Sequence, residues 1–193
     1  MNKKLILIAI FGLYIHFNGL AMESATKESV TTRVCDFNPE RDTQPVIDIF
    51  NENRHSLSRS CYPTSQAVTL QVCHENSNCN IKVLKENEKL AGYIMYTTYP
   101  DEVHTQLRID QVAVSADFRN KGYGKLLISN AIKELDNMDT SSAYAELCCY
   151  QDNTPALNMY TKMGFEKDGN FNNQVRLIYT PPHPHIPISK KLS

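Results

Sequence analysis

The chain carries no surplus of charge: 20 Lys and Arg stand against 21 Asp and Glu over 193 residues, a formal net charge of −1. That balance gives no sign of nucleic-acid binding, which shows as a basic patch or a strongly basic total. No internal repeat is visible. No apolar run reaches the roughly twenty residues of a stable transmembrane helix; Leu5 to Phe17, nearly all apolar, is thirteen residues long. Cysteine never recurs at C-x-x-C spacing, so His74 between Cys73 and Cys79 is not supported as a zinc site. The best-known phosphate loops are missing as well. There is no G-x-G-x-x-G with an acidic residue about twenty positions on, and no Gly-Lys-Ser/Thr after four intervening residues.

What is present fits one globular domain. Apolar residues make up 41% and charged residues 21%, which leaves no disordered majority, and the length suffices for one good core. At the N-terminus Met1-Asn2-Lys3-Lys4 is basic, the apolar run follows, and Asn18-Gly19-Leu20-Ala21 offers small residues before a cut after Ala21. Residues 1–21 therefore look like a secretory signal peptide, which places the protein outside the cytoplasm, secreted or periplasmic. The competing reading is an upstream extension of a cytoplasmic protein that starts at Met22. Six cysteines, an even number, suit disulfides in an oxidising compartment. Cys73 and Cys79 bracket a short polar loop and form the most plausible local pair, whereas Cys148 and Cys149 are strand neighbours pointing to opposite faces. Six thiols, several of them buried as small hydrophobes, is the other reading.

The pattern along the chain is that of a mixed α/β domain spanning 30–180. Val30 to Phe37 reads as a strand and Arg41 to Leu57 as a helix with Pro45 in its first turn. Arg54 to Asn80 reads as a broken helix and loops. Ile81 to Leu84, a turn around Glu86-Asn87-Glu88, and Leu90 to Tyr99 form a hairpin leading into a strand over Leu107 to Val114. Residues 181–193 continue a proline-rich, extended tail. His183 and His185 there could hold a metal, but a solvated tail explains them as well, and no metal is expected.

Between the strand ending Val112-Ala113-Val114 and an amphipathic run from Lys125 to Leu135 lie Arg119-Asn120-Lys121-Gly122-Tyr123-Gly124. Gly122 and Gly124 can take positive φ and have no Cβ, so the backbone can curl its N–H groups around an anion. The following helix turns its positive end to the same point. Arg119, Lys121 and Lys125 add full charges, as a pyrophosphate would need.

A second segment follows: Asn153-Thr154-Pro155-Ala156-Leu157-Asn158-Met159-Tyr160-Thr161-Lys162-Met163-Gly164-Phe165. Thr154 can cap a helix that starts at Pro155, and Gly164 can close it in a left-handed turn. Together, R-x-x-G-x-G after a Val-Ala-Val strand and N-x-x-A-x-x-x-Y-x-x-x-G-F resemble the GNAT superfamily of acyl-CoA-dependent N-acyltransferases. The resemblance implies a mixed central β-sheet flanked by helices on both faces, and acetyl-CoA as co-substrate.

It further implies that Arg119 to Gly124, with Lys125, hold the pyrophosphate. Backbone groups of Val112, Ala113 and Val114 pair with the pantetheine arm and polarise the thioester carbonyl. Asn153 touches the cofactor arm, and Tyr160 is the general acid at the departing thiolate. The acceptor is an amine on a small molecule, peptide or protein, with residues between Arg54 and Asn80 in its wall; a homodimer is left open. For the general base Asp110 fits the family position with a shorter arm, Glu146 is the reserve, and water is the third option. The alternative function is an acyl-CoA-binding or interaction module that does not catalyse. A cytosolic co-substrate behind an export signal is a conflict internal to the sequence.

Overall fold

Asn38 sets the start of the first helix. Its side chain accepts the backbone N–H of Arg41 at 3.1 Å, and Pro39 follows in the first turn, where a missing N–H costs no hydrogen bond. Helix α1 therefore runs Pro39–Asn53, starting before the expected Arg41 and placing Pro45 beyond the first turn. The structure, a computed structural model, describes residues 29–57, 66–100, 104–135 and 142–182. The expectations for residues 1–21, Cys61, His183 and His185 lie outside them.

The other elements are β1 (Thr32–Asp36), α2 (Gln66–Glu75), β2 (Cys79–Glu86), β3 (Lys89–Pro100), β4 (His104–Val114), α3 (Tyr123–Ile132), β5 (Ser142–Tyr150), α4 (Thr154–Lys162), β6 (Glu166–Phe171) and β7 (Gln174–Tyr179), with a short 3₁₀ turn at Ala116–Phe118. From Thr31 onward they belong to one compact unit. The seven strands form one mixed sheet in the order β1-β2-β3-β4-β5-β7-β6. In the β2–β3 hairpin Asn87 and Glu88 both take positive φ, 47° and 65°, the loop conformation whose twist matches the flanking strands. Strand β7 is an addition to the elements expected from the sequence. It inserts antiparallel between β5 and β6 and alternates buried Val175 and Leu177 with more exposed Gln174 and Arg176.

Two cores lie on the two faces, and β3 shows how its residues divide. Ile94 and Tyr96 join a cluster with Leu127, Ile128 and Leu147 under α3, while Tyr93 and Met95 join Val46, Ile49 and Leu70 under α1 and α2. That is the period-two alternation of a strand covered on both sides. Under α1 a buried ion pair, Lys85 Nζ to Asp42 Oδ1 at 2.9 Å, ties the helix to β2. Cys73 and Cys79 are bonded, linking the end of α2 to the start of β2. Cys35, Cys148 and Cys149 are not in disulfides. Among the described residues no helix is long and apolar enough to cross a membrane.

Two irregularities of β4 prepare the site. In the β3–β4 ladder Met95 pairs with Gln111 and Tyr96 with Ile109, so Asp110 is an extra residue in a bulge that re-aims the strand. In the parallel β4–β5 ladder pairing begins at His104 with Ser142 and stops at Ile109 with Leu147, although β4 continues to Val114 and β5 to Tyr150. The strands part beyond that point.

Candidate active site

The gap between the parted strands opens into a cleft of about 400 Å³, lined by the end of β4, the loop before α3, the end of β5 and the face of α4. Along it, the edge of β4 beyond Ile109 has no β5 partner, so its backbone polar groups are available to an extended ligand.

At one end lies the glycine loop. Gly122 caps α3 with φ 80° and no side-chain hydrogen bond. A Cβ there would meet nothing within 4 Å, so glycine is required for its backbone conformation and not for space. The first helical hydrogen bond is Leu126 N–H to Gly122 O at 3.0 Å. The N–H groups of Tyr123, Gly124 and Lys125 therefore have no partner within the helix and face the end of the cleft. Asn120 also takes positive φ, 63°. α3 begins at Tyr123, two residues before the expected Lys125, because the left-handed Gly122 turns the chain straight into helix.

Arg119, Asn120, Gly122, Tyr123, Gly124 and Lys125 all line the cleft. Lys121 does not. Its ammonium lies 2.8 Å from Glu86 Oε1 on β2 and 5.1 Å over the Phe118 ring, and hydrogen bonding to Glu86 raises its pKa. The Tyr123 hydroxyl also reaches Glu86, leaving the backbone of Tyr123 as its share of the loop. Arg119 donates to Asn53 Oδ1 at 3.2 Å, and Asn53 Nδ2 reaches Val114 O at 3.3 Å, so α1 braces the loop against the end of β4.

At the other end stands α4. Its cap is Asn153, whose side chain accepts the Ala156 N–H at 3.4 Å, so Thr154 is helical and not the expected cap. Gly164, φ 92°, follows the helix as expected, and the Phe165 N–H returns to Tyr160 O at 3.1 Å in the manner of a Schellman turn. Tyr160 is buried, packs edge-on against Phe165 and lines the cleft together with Asn153. Burial, and secondarily the Cys149 thiol, push its pKa upward. Cys149, on β5 beside it, is pushed up to about 11, first by burial. Both groups are therefore protonated across the physiological range.

Val112 to Val114 line the cleft from β4. Asp110 lines it too, but its carboxylate accepts from Thr97 Oγ1 at 2.7 Å and from Arg108 Nε at 2.6 Å. Glu146 is not among the cleft residues; it is held by Arg176 on β7 at 2.7 Å. The chain thus brings together the loop, Val112 to Val114, Asp110, Asn153 and Tyr160, and leaves Lys121 and Glu146 outside. Gln111, Cys148 and Met159 also line it. None of the three is among the site residues expected from the sequence: Gln111 and Cys148 come to the cleft through the bulge and the parting of the strands, and Met159 comes from α4, one residue before Tyr160. Among the described residues no cluster of His, Cys, Asp or Glu could hold a metal ion.

Residues 44–165 match the Acetyltransferase (GNAT) family, and the chain belongs to that family. A search of curated protein sequences finds no match. Among solved structures the chain is similar to Arabidopsis thaliana NAA60 in complex with a bisubstrate analogue, at 16% identity and a TM-score of 0.62 over 78% of this chain and 98% of that one. It is similar to the ribosomal-protein-S18-alanine N-acetyltransferase of Escherichia coli, at 16% identity and 0.59 over 78% and 94%. The PaiA N-acetyltransferase of Thermoplasma acidophilum, solved in complex with coenzyme A, gives 13% identity and 0.61 over 78% and 99%. At these identities the likeness is one of fold, and a fold shared so widely names no acceptor.

Proposed function

We propose that the protein is an acetyl-CoA-dependent N-acetyltransferase in which a primary amine attacks the thioester directly in a ternary complex. The observation that carries this reading is the parting of β4 and β5 after Ile109 and Leu147, with an uncapped helix end at one end of the gap and a buried tyrosine at the other. The pyrophosphate takes the N–H groups of Tyr123, Gly124 and Lys125, with Arg119 and Lys125 supplying charge. The pantetheine arm lies along the open edge of β4, and an N–H of Val112 to Val114 polarises the carbonyl. Tyr160, kept protonated by burial, donates a hydrogen bond to the sulfur as negative charge develops there. Asp110 assists loss of the amine proton through its position at the bulge.

A second reading has its own observation: Asp110 and Glu146, the two candidate bases, are both held in ion pairs. A module that binds acyl-CoA without transferring the acyl group would tolerate that, whereas an enzyme with this geometry would use water to relay the proton. Thiol release from acetyl-CoA with a panel of amines, peptides and proteins, beside calorimetric titration with acetyl-CoA, separates the two. Binding with turnover supports the enzyme, and binding without turnover supports the module. Neither binding nor turnover sinks both.

We also propose export. The Cys73–Cys79 bond supports it, since disulfides persist in oxidising compartments, and residues 1–21 have the form of a signal peptide. Cell fractionation with thiol counting on the native protein is the test. A cytoplasmic protein with Cys73 and Cys79 reduced would overturn it.

A further inference from the structure

The face of the sheet opposite the glycine loop and Tyr160 carries a polar cluster that the chemistry above leaves unused. Gln111, next to Asp110 at the β4 bulge, accepts from the Tyr93 hydroxyl at 2.8 Å and from Gln66 Nε2 at 2.9 Å, both on its Oε1. Its own Nε2 donates to Gln66 Oε1 at 3.3 Å. Tyr93 is completely buried and Gln66, the first residue of α2, nearly so. A carboxamide gripped from two elements this way is fixed in orientation: its oxygen is saturated, and of its two N–H donors one is left for the cleft it lines.

Acetyl-CoA approaching along α3 and the edge of β4 occupies one side of the thioester carbonyl, so the amine must come from the other. That is the face on which Gln111 bonds Tyr93 and Gln66 and Asp110 bonds Thr97, and both residues line the cleft. An N–H donor cannot usefully serve the attacking nitrogen, because it would bind the lone pair that must reach the carbonyl carbon. It needs an oxygen elsewhere on the acceptor.

We infer that Gln111, oriented by Gln66 and Tyr93, is a specificity-determining residue that hydrogen-bonds a carbonyl oxygen adjacent to the acceptor amine. The acceptors favoured are then amines bearing such a carbonyl, as amino-acid amides and peptide N-termini do, over plain alkylamines. This rests on the acetyltransferase reading.

The test compares kcat/KM for glycinamide and propylamine in the full chain and its variants. The two amines differ in basicity, so the readout is the change in their ratio on substitution. Gln111→Leu removes the donor, and Gln111→Glu replaces it with an oxygen at constant shape. Each should lower the glycinamide preference about tenfold, the scale of one hydrogen bond to a neutral partner, with KM for acetyl-CoA unchanged. Tyr93→Phe, which frees the carboxamide to turn, should lower it several-fold. A ratio unchanged within twofold in Gln111→Glu and Tyr93→Phe overturns the inference even if Gln111→Leu fails to fold. An equal loss of kcat for both amines overturns it in favour of a donor to the thioester. Absence of turnover with every amine instead overturns the acetyltransferase reading, and this inference with it.

Discussion

Ile109 and Leu147 are the last residues of β4 and β5 to face each other across the parallel ladder. Everything proposed for the cleft depends on that pair, since Gln111 to Val114 beyond it on β4 keep their β3 partners and have no β5 ones. The bulge at Asp110 sits directly after it. The strand is thus bent away where its second neighbour departs.

Gly122→Ala isolates the role of the left-handed cap. The new methyl group meets no atom, but φ 80° is unfavourable for any L residue. We expect a loss of about 1 kcal/mol in stability and at least a tenfold weaker affinity for acetyl-CoA as the N–H groups turn. Chemical denaturation and calorimetry measure the two; an unchanged affinity would remove the loop from the site.

Lys121→Ala and Lys125→Ala test the division of charge around the loop. Lys121 is turned to Glu86, while Lys125 lines the cleft. Calorimetric titration should show Lys125→Ala weakening acetyl-CoA binding several-fold, with a shallower salt dependence, and Lys121→Ala changing it less. The reverse order would mean that the Glu86 pair opens on binding.

Tyr160→Phe removes only a hydroxyl from a packed ring. If the hydroxyl serves the leaving sulfur, kcat should fall on the order of 100-fold with KM for acetyl-CoA little altered. Steady-state kinetics decide, and a variant as active as the parent would return Tyr160 to a packing role.

Asp42 governs stability toward acid. Burial alone would raise its pKa, but hydrogen bonds from Arg41, Lys85 and the Asn38 N–H together outweigh it and hold the carboxyl below its ordinary value. A depressed folded-state pKa adds stability that is present above the unfolded pKa, near 4, and is lost as pH falls through the folded value. Thermal unfolding followed from pH 5 downward should show that loss. Asp42→Asn, which leaves Lys85 buried without its counter-charge, should cost about 3–5 kcal/mol at pH 7 and flatten the acid limb. A variant with the parent's pH profile would contradict the assignment.

Much of this was legible along the chain because it depends on near neighbours. The hairpin arm Leu90 to Tyr99, three- and four-residue spacing after Lys125, and Gly164 after Tyr160 each express local backbone preferences, and each element formed where that pattern lay. The helix starts moved by a few residues, toward Asn38 and Gly122, because capping competes with hydrophobic spacing in setting a boundary. Strand β7 is not legible in the sequence because its six residues carry only a short pattern beside a polar turn at Asn172 and Asn173.

The sequence by itself determined the mixed α/β fold, the family and the order of glycine loop and tyrosine helix, since those follow from residue types at fixed short spacing. Only the tertiary structure decided which members of that set meet. Lys121 leaves the loop because β2 brings Glu86 within reach, Glu146 is taken by Arg176 because β7 inserts beside β5, and Gln111, brought to the cleft by the bulge, is held there by Gln66 of α2. Those partners lie 30 to 45 residues apart in the chain, and a hydrogen bond or ion pair at that separation depends on how the strands are ordered and leaves no pattern in the residues on either side.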